Sequence, residues 1–84
     1  MAKESRILKA MYALVKDQES KTGWPINAAA VSQQTPGLSL GEIEQEMRDL
    51  QIKKLVQIDH APDMSLFCRL TEAGLEEAEK AARH

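Results

Sequence analysis

The hydrophobic positions of the chain switch between two spacings. Ile7, Met11, Leu14 and Val15 recur every three to four residues, flanked by Leu8 and Tyr12 and opposed by Lys9, Lys16 and Asp17. That period predicts an amphipathic helix reaching about Ser20. Leu40, Ile43, Met47 and Leu50 repeat the pattern and predict the inward stripe of another helix, which gives out near Lys53. Val56 and Ile58, then Leu66, Cys68 and Leu70, change to a period of two, with Gln57, Asp59, Ser65, Phe67 and Arg69 on the other side. Two strands joined through His60 to Met64 as a hairpin fit this alternation. Leu75, Ala78 and Ala82 return to helical spacing for a last helix.

Punctuation between these runs is chemical. Ser39 followed by Glu42 is a capping box, in which the serine oxygen takes a first-turn amide and the glutamate reaches back to the cap residue. Ser20 to Gly23 is polar and ends in glycine, a loop, and Trp24-Pro25 forces the chain to be extended. Asn27 is a good N-cap for a short helix from Ala28 to about Gln33, and Ile26 with Val31 has the spacing of a hydrophobic staple. Thr35-Pro36-Gly37 stops that helix, with Pro-Gly at the central positions of a type II turn. Thr71 caps the last helix. The order is helix, helix, helix, hairpin, helix, mainly α with a small β-hairpin. The two central helices and their tight turn form a helix-turn-helix candidate.

With 84 residues the chain is expected to form one domain over 1–84, burying only roughly 60–65% of its unfolded surface. A hydrophobic content of 43% with 29% charged residues excludes a disordered chain. No apolar run approaches the roughly 18 residues of a membrane span, and no signal-peptide core precedes the first helix. The single cysteine, Cys68, excludes an internal disulfide and fits a reducing, cytoplasmic setting. A net charge of −2 supplies no general attraction to nucleic acid, so any such binding must come from a local patch.

The segment SLGEIEQEMRDLQIKKLV, the hairpin after it, and CRLTEAGLEEAEKA together resemble the winged helix-turn-helix family. The last segment is similar to the one that opens the final helix of MarR-type and PadR-type regulators. The resemblance implies a three-helix core with a wing hairpin and a C-terminal helix, and a small double-stranded-DNA-binding transcriptional regulator. It implies that the third helix enters the major groove with Gly41, Glu42, Gln45, Arg48 and Asp49 outward, Arg48 suiting guanine and Gln45 adenine. Lys53, Lys54 and Arg69 would serve phosphates, with Asn27 and Ser39 at the starts of the two central helices. Lys54 stands where the family usually has a helix-ending glycine, so it must take a left-handed conformation. Cys68 replaces a common aromatic.

Two features of the same residues oppose that implication. Glu42 and Asp49 would repel phosphate, and the hairpin tip offers Asp59, His60, Pro62 and Asp63 rather than arginine or lysine. The alternative is a winged helix that binds a basic protein partner through Glu42, Glu46 and Asp49, with Phe67 as apolar anchor. The competing reading of Phe67 is a cover for the rim of the core, and Trp24 reads as a core cover. Asp59, His60 and Asp63 lack the rest of a ligand set and read as a polar tip, and Cys68 as a buried inert thiol. No cofactor, metal or catalytic constellation is expected, and the chain reads as a non-enzyme, either a monomer or a homodimer through its first or last helix.

Overall fold

A computed structural model describes residues 3–83. It contains four helices and a three-stranded antiparallel sheet: α1 Lys3–Val15, β1 Ile26–Asn27, α2 Ala28–Gln34, α3 Leu40–Ile52, β2 Val56–His60, β3 Leu66–Leu70 and α4 Glu72–Ala82. β3 is central, in the order β1-β3-β2, with Ile26 opposite Cys68 and Ile58 opposite the same residue from the other side. The even positions Leu66, Cys68 and Leu70 are buried while Phe67 and Arg69 are half-buried, as the alternation predicts. Ile7, Met11, Val15, Val31, Ile43, Met47, Leu50, Val56 and Cys68 meet in one hydrophobic cluster, with Leu14, Leu55 and Leu75 partly buried against it. Among the described residues no helix is long and apolar enough to cross a membrane.

α3 is defined at both ends by local bonds. Ser39 Oγ accepts from the Glu42 amide at 3.1 Å, and Glu42 Oε1 accepts from the Ser39 amide at 3.3 Å, which closes the capping box. At the other end the Leu55 amide donates to the Leu50 carbonyl and the Lys54 amide to that of Gln51, each at 2.9 Å. These two bonds form a Schellman motif, which requires a left-handed residue between helix and strand. Lys54 fills that position with φ +64°, as the family resemblance implies. Before α3, the Leu38 amide closes the Thr35-Pro36-Gly37 turn on the Thr35 carbonyl at 3.2 Å, and Gly37 takes φ +94°. Arg6 of α1 donates to the Pro36 carbonyl at 3.0 Å and ties that turn to the first helix.

The start of α4 locks onto the end of α3. Thr71 Oγ1 donates to the Lys54 carbonyl at 2.8 Å, the Thr71 amide donates to the Leu55 carbonyl at 3.0 Å, and the Gly74 amide donates to Thr71 Oγ1 at 3.0 Å. A Cβ at Gly74 would lie 1.8 Å from the Leu55 carbonyl oxygen. The glycine is therefore a contact residue between α4 and the α3–β2 junction.

Five expectations are corrected. α1 ends at Val15 rather than Ser20, because no apolar residue follows until Trp24 to reward further turns, and the Gln18 amide turns back onto Val15. β1 was not foreseen, since two residues carry no period; it exists because Ile26 and Asn27 pair with residues some forty positions later. Leu40 is 50% exposed rather than part of the stripe, because the first residue of α3 projects beyond the elements that cover Ile43 and Met47. Trp24 is 44% exposed and lies outside the core, so it is no cover. His60 belongs to β2, and the loop runs from Ala61 to Ser65, where Met64 takes φ +70° and its amide donates to the Ala61 carbonyl at 2.8 Å.

Candidate nucleic-acid interface

With Ile43, Met47 and Leu50 inward, a step of about 100° per residue turns Gly41, Gln45, Arg48 and Ile52 outward from α3. All four are exposed, and Ile52 is 79% exposed. Glu42, Glu46 and Asp49 are half-buried and lie on the flank that faces the start of α1. There Lys3 Nζ pairs with Glu42 Oε2 at 3.1 Å, and Lys53 Nζ pairs with the Glu4 carboxylate. Lys3 and the Ser39 bonds hold the Glu42 carboxyl below its usual range, and Glu4 raises the Lys53 ammonium above its own. Of the two acids expected to flank Arg48 outward, Glu42 is drawn aside by Lys3, whereas Asp49 stays beside the outward Gln45.

Each predicted site residue can be placed. Arg48 makes no ion pair or hydrogen bond among the described residues, nor does the side chain of Lys54. Gln45 Nε2 donates to Asp49 Oδ1 at 3.2 Å, which draws its amide toward the acidic flank. Gly41 leaves the backbone open, since nothing closer than Ser39 Oγ at 4.0 Å surrounds it. The Ser39 hydroxyl is occupied on both sides by the capping box. Asn27 Oδ1 accepts from the Ala30 amide at 2.7 Å, so only its Nδ2 remains to donate elsewhere. Arg69 pairs with Asp59 across the hairpin at 2.8 Å, while its Nε is buried without a partner. Of the four cations assigned to phosphates or bases, two are therefore held by carboxylates.

The residues assigned to a protein partner do not come together. Glu46 and Asp49 line a depression with Lys3, Glu4, Ile52 and Lys53, whereas Phe67 lines another with Pro25, Asp59, His60 and Arg69 on the outer face of the sheet. Lys3 and Lys53 offset two of the three carboxylates, Glu4, Glu46 and Asp49, that line the first depression, and Phe67 is half-buried in the second. At the hairpin tip Asp63 accepts from the Ser65 hydroxyl at 2.6 Å and its amide at 3.0 Å, which holds that carboxyl below its ordinary value. Its geometry is that of a turn support.

Leu40 and Glu44, which the inward stripe does not mark as site residues, stand on the flank of α3 opposite Glu42. They line an apolar depression between α3, the start of α2 and β3, formed with Asn27, Ala28, Ala29, Ser65 and Leu66. Leu40, Glu44 and Arg48 stand four apart, so they form one row along α3. That spacing carries the signal, but the periodicity of the inward stripe also includes Leu40 and masks it.

Four helices around a small antiparallel sheet, with an exposed face on the third helix, define an architecture shared with a DNA-binding protein. That protein is BpsR of Bordetella bronchiseptica, whose DNA binding is regulated by 6-hydroxynicotinic acid; it is similar to this chain with a TM-score of 0.67 at 15% identity. The match covers 99% of this chain and 58% of BpsR, so the chain spans little more than half of its neighbour's length. No protein-family model and no curated protein matches the chain.

Proposed function

We propose that this chain is a winged helix-turn-helix module that binds double-stranded DNA and acts in transcription regulation. α3 is its recognition helix and the β2–β3 hairpin its wing. The observation that carries the reading is the outward face of Gly41, Gln45 and Arg48, with Arg48 free of any ion pair among the described residues and Glu42 drawn off to Lys3 of α1. Arg48 donates to a guanine edge and Lys54 to a phosphate. Lys53 and Arg69 join only by leaving Glu4 and Asp59, so binding is weak. The neighbour's DNA binding supports this reading, and so does the shared fold.

A salt titration with a duplex selected from a random pool tests it. One to three phosphate contacts, from Lys54 alone or with Lys53 and Arg69, give log K a slope against log salt of about −1 to −3. Lys54→Ala lowers affinity evenly across sequences and flattens the slope by about one, whereas Arg48→Ala relaxes sequence preference. Absence of saturable binding to every duplex in low salt refutes the proposal.

A further inference from the structure

Resting on the DNA reading above, we infer that the depression beside Leu40 takes the 5-methyl group of a thymine, so that this chain reads a T·A pair by an apolar contact. Leu40 is half exposed at the first position of α3, a place where a leucine gains little from folding. It forms one wall of a recess of about 220 Å³, whose other apolar walls are Ala28, Ala29 and Leu66, the last of these buried. Its polar lining is Asn27, Ser65 and Glu44, the last a carboxylate with no ion-pair partner among the described residues.

That combination selects what enters. Glu44 repels a phosphate, so a base edge is favoured over the DNA backbone at the Leu40 side of the recess. In the major groove thymine alone of the four bases presents a methyl group, and adenine or cytosine presents the exocyclic amine that a carboxylate accepts. Leu40 and Glu44 lie one helical turn apart, a rise of about 6 Å, which lets them meet neighbouring base pairs. Arg48, one turn further along the row, continues it toward a guanine. The apolar recess thus supplies selectivity without adding positive charge, which suits a chain whose net charge is −2.

The experiment replaces thymine by deoxyuridine, one position at a time, in the duplex selected for binding. Deoxyuridine lacks only the methyl group. At one position it should weaken binding by the intact chain about fourfold, the worth of one buried methyl group. Leu40→Ala should weaken binding to the thymine duplex by a similar factor and be indifferent to the replacement, while its melting temperature stays near that of the parent because Leu40 is half exposed. Duplex binding in which no deoxyuridine position matters overturns this inference and leaves the DNA reading standing. A deoxyuridine effect that persists in Leu40→Ala also overturns it, by placing the methyl contact elsewhere. If no duplex binds at all, both readings fall. Loss of self-association in Leu40→Ala, read by sedimentation with DNA affinity unchanged, would assign the recess to a second copy of this chain.

Discussion

Replacing Gly74 by alanine sets two physical effects against each other. Gly74 lies in the first turn of α4, where helix propensity alone makes alanine more favourable by up to about 1 kcal/mol. The structure predicts the opposite sign. A Cβ there would sit 1.8 Å from the Leu55 carbonyl oxygen and 2.8 Å from its carbon, and backbone atoms cannot swing away as a side chain would. α4 must move off the α3–β2 junction. Doing so strains the Thr71 bonds to the carbonyls of Lys54 and Leu55. Overpacking of this kind costs about 1–3 kcal/mol, and a weakened buried-edge hydrogen bond about 1 kcal/mol more. A net loss of about 3 kcal/mol is a large share of the roughly 4 to 13 kcal/mol expected for a chain of this length.

Thermal melting followed by circular dichroism reads the result directly. For a domain of this size about 1 kcal/mol moves the midpoint by roughly 4–8 °C, so Gly74→Ala should lower it by more than about 10 °C. Gly41→Ala is the internal control, because its Cβ meets nothing closer than 4.0 Å and should leave the midpoint unchanged or slightly raised. An unchanged or raised midpoint for Gly74→Ala would show that α4 does not press on the Leu55 carbonyl.

Lys54→Gly relieves the left-handed residue of the α3 terminus and should raise the melting midpoint by a few degrees, about 1 kcal/mol, while weakening DNA binding; a lowered midpoint would refute the strain. Met47→Asp places a carboxylate in a position with no exposure and should abolish the cooperative transition; a retained transition would misplace the inner face of α3. Burial pushes the Cys68 thiol up to about 12, so a thiol reagent at neutral pH should label it only through unfolding, at a rate that rises with urea. Glu42 has a depressed folded-state pKa, so its contribution to stability is present above the unfolded value near 4.5 and disappears as pH falls through the lower folded value. Lys3→Gln should shrink that acid-limb loss, and a pH profile identical to the parent's would refute the pair.

What could be read from the chain was what lies within a few residues or one periodic run. The capping box of Ser39 and Glu42 and the Asn27 cap are local chemistry legible in sequence, whereas the left-handed Lys54 followed from the family resemblance. The helical stripe placed Ile43, Met47 and Leu50 correctly because three consecutive turns share one covering surface. It failed at Leu40, where periodicity continues but the covering elements stop. β1 was illegible for a different reason: its register with β3 comes from distant pairing rather than from its own two residues. The same limit applies to charge. Spacing puts Glu42 and Asp49 near the edge of the outward face, but only the fold brings Lys3, 39 positions from Glu42, against that edge.

This last point changes the electrostatic argument about DNA. A net charge of −2 counts every carboxylate equally, although a groove senses charges by distance and screening makes their interaction fall off over about 8–10 Å in physiological salt. Glu42 is half-buried beside Lys3, Glu4 is paired with Lys53, and Glu77 and Glu79 pair with Lys80 and Arg83 at the far end of the chain. Arg48 and Lys54, by contrast, make no ion pair among the described residues and both are exposed. Lys3 thus offsets Glu42 at the edge of the outward face of α3, while Glu44, Glu46 and Asp49 make no ion pair among the described residues, and Glu44 is the one that lines the recess beside Leu40. A carboxylate in that position weakens binding to any sequence through repulsion and restores it only where an amine meets it. Glu44→Gln should accordingly raise affinity for mixed duplexes while narrowing the gap between preferred and random sequences, measured by competition at fixed salt. Equal gains on both would reduce Glu44 to a bystander charge.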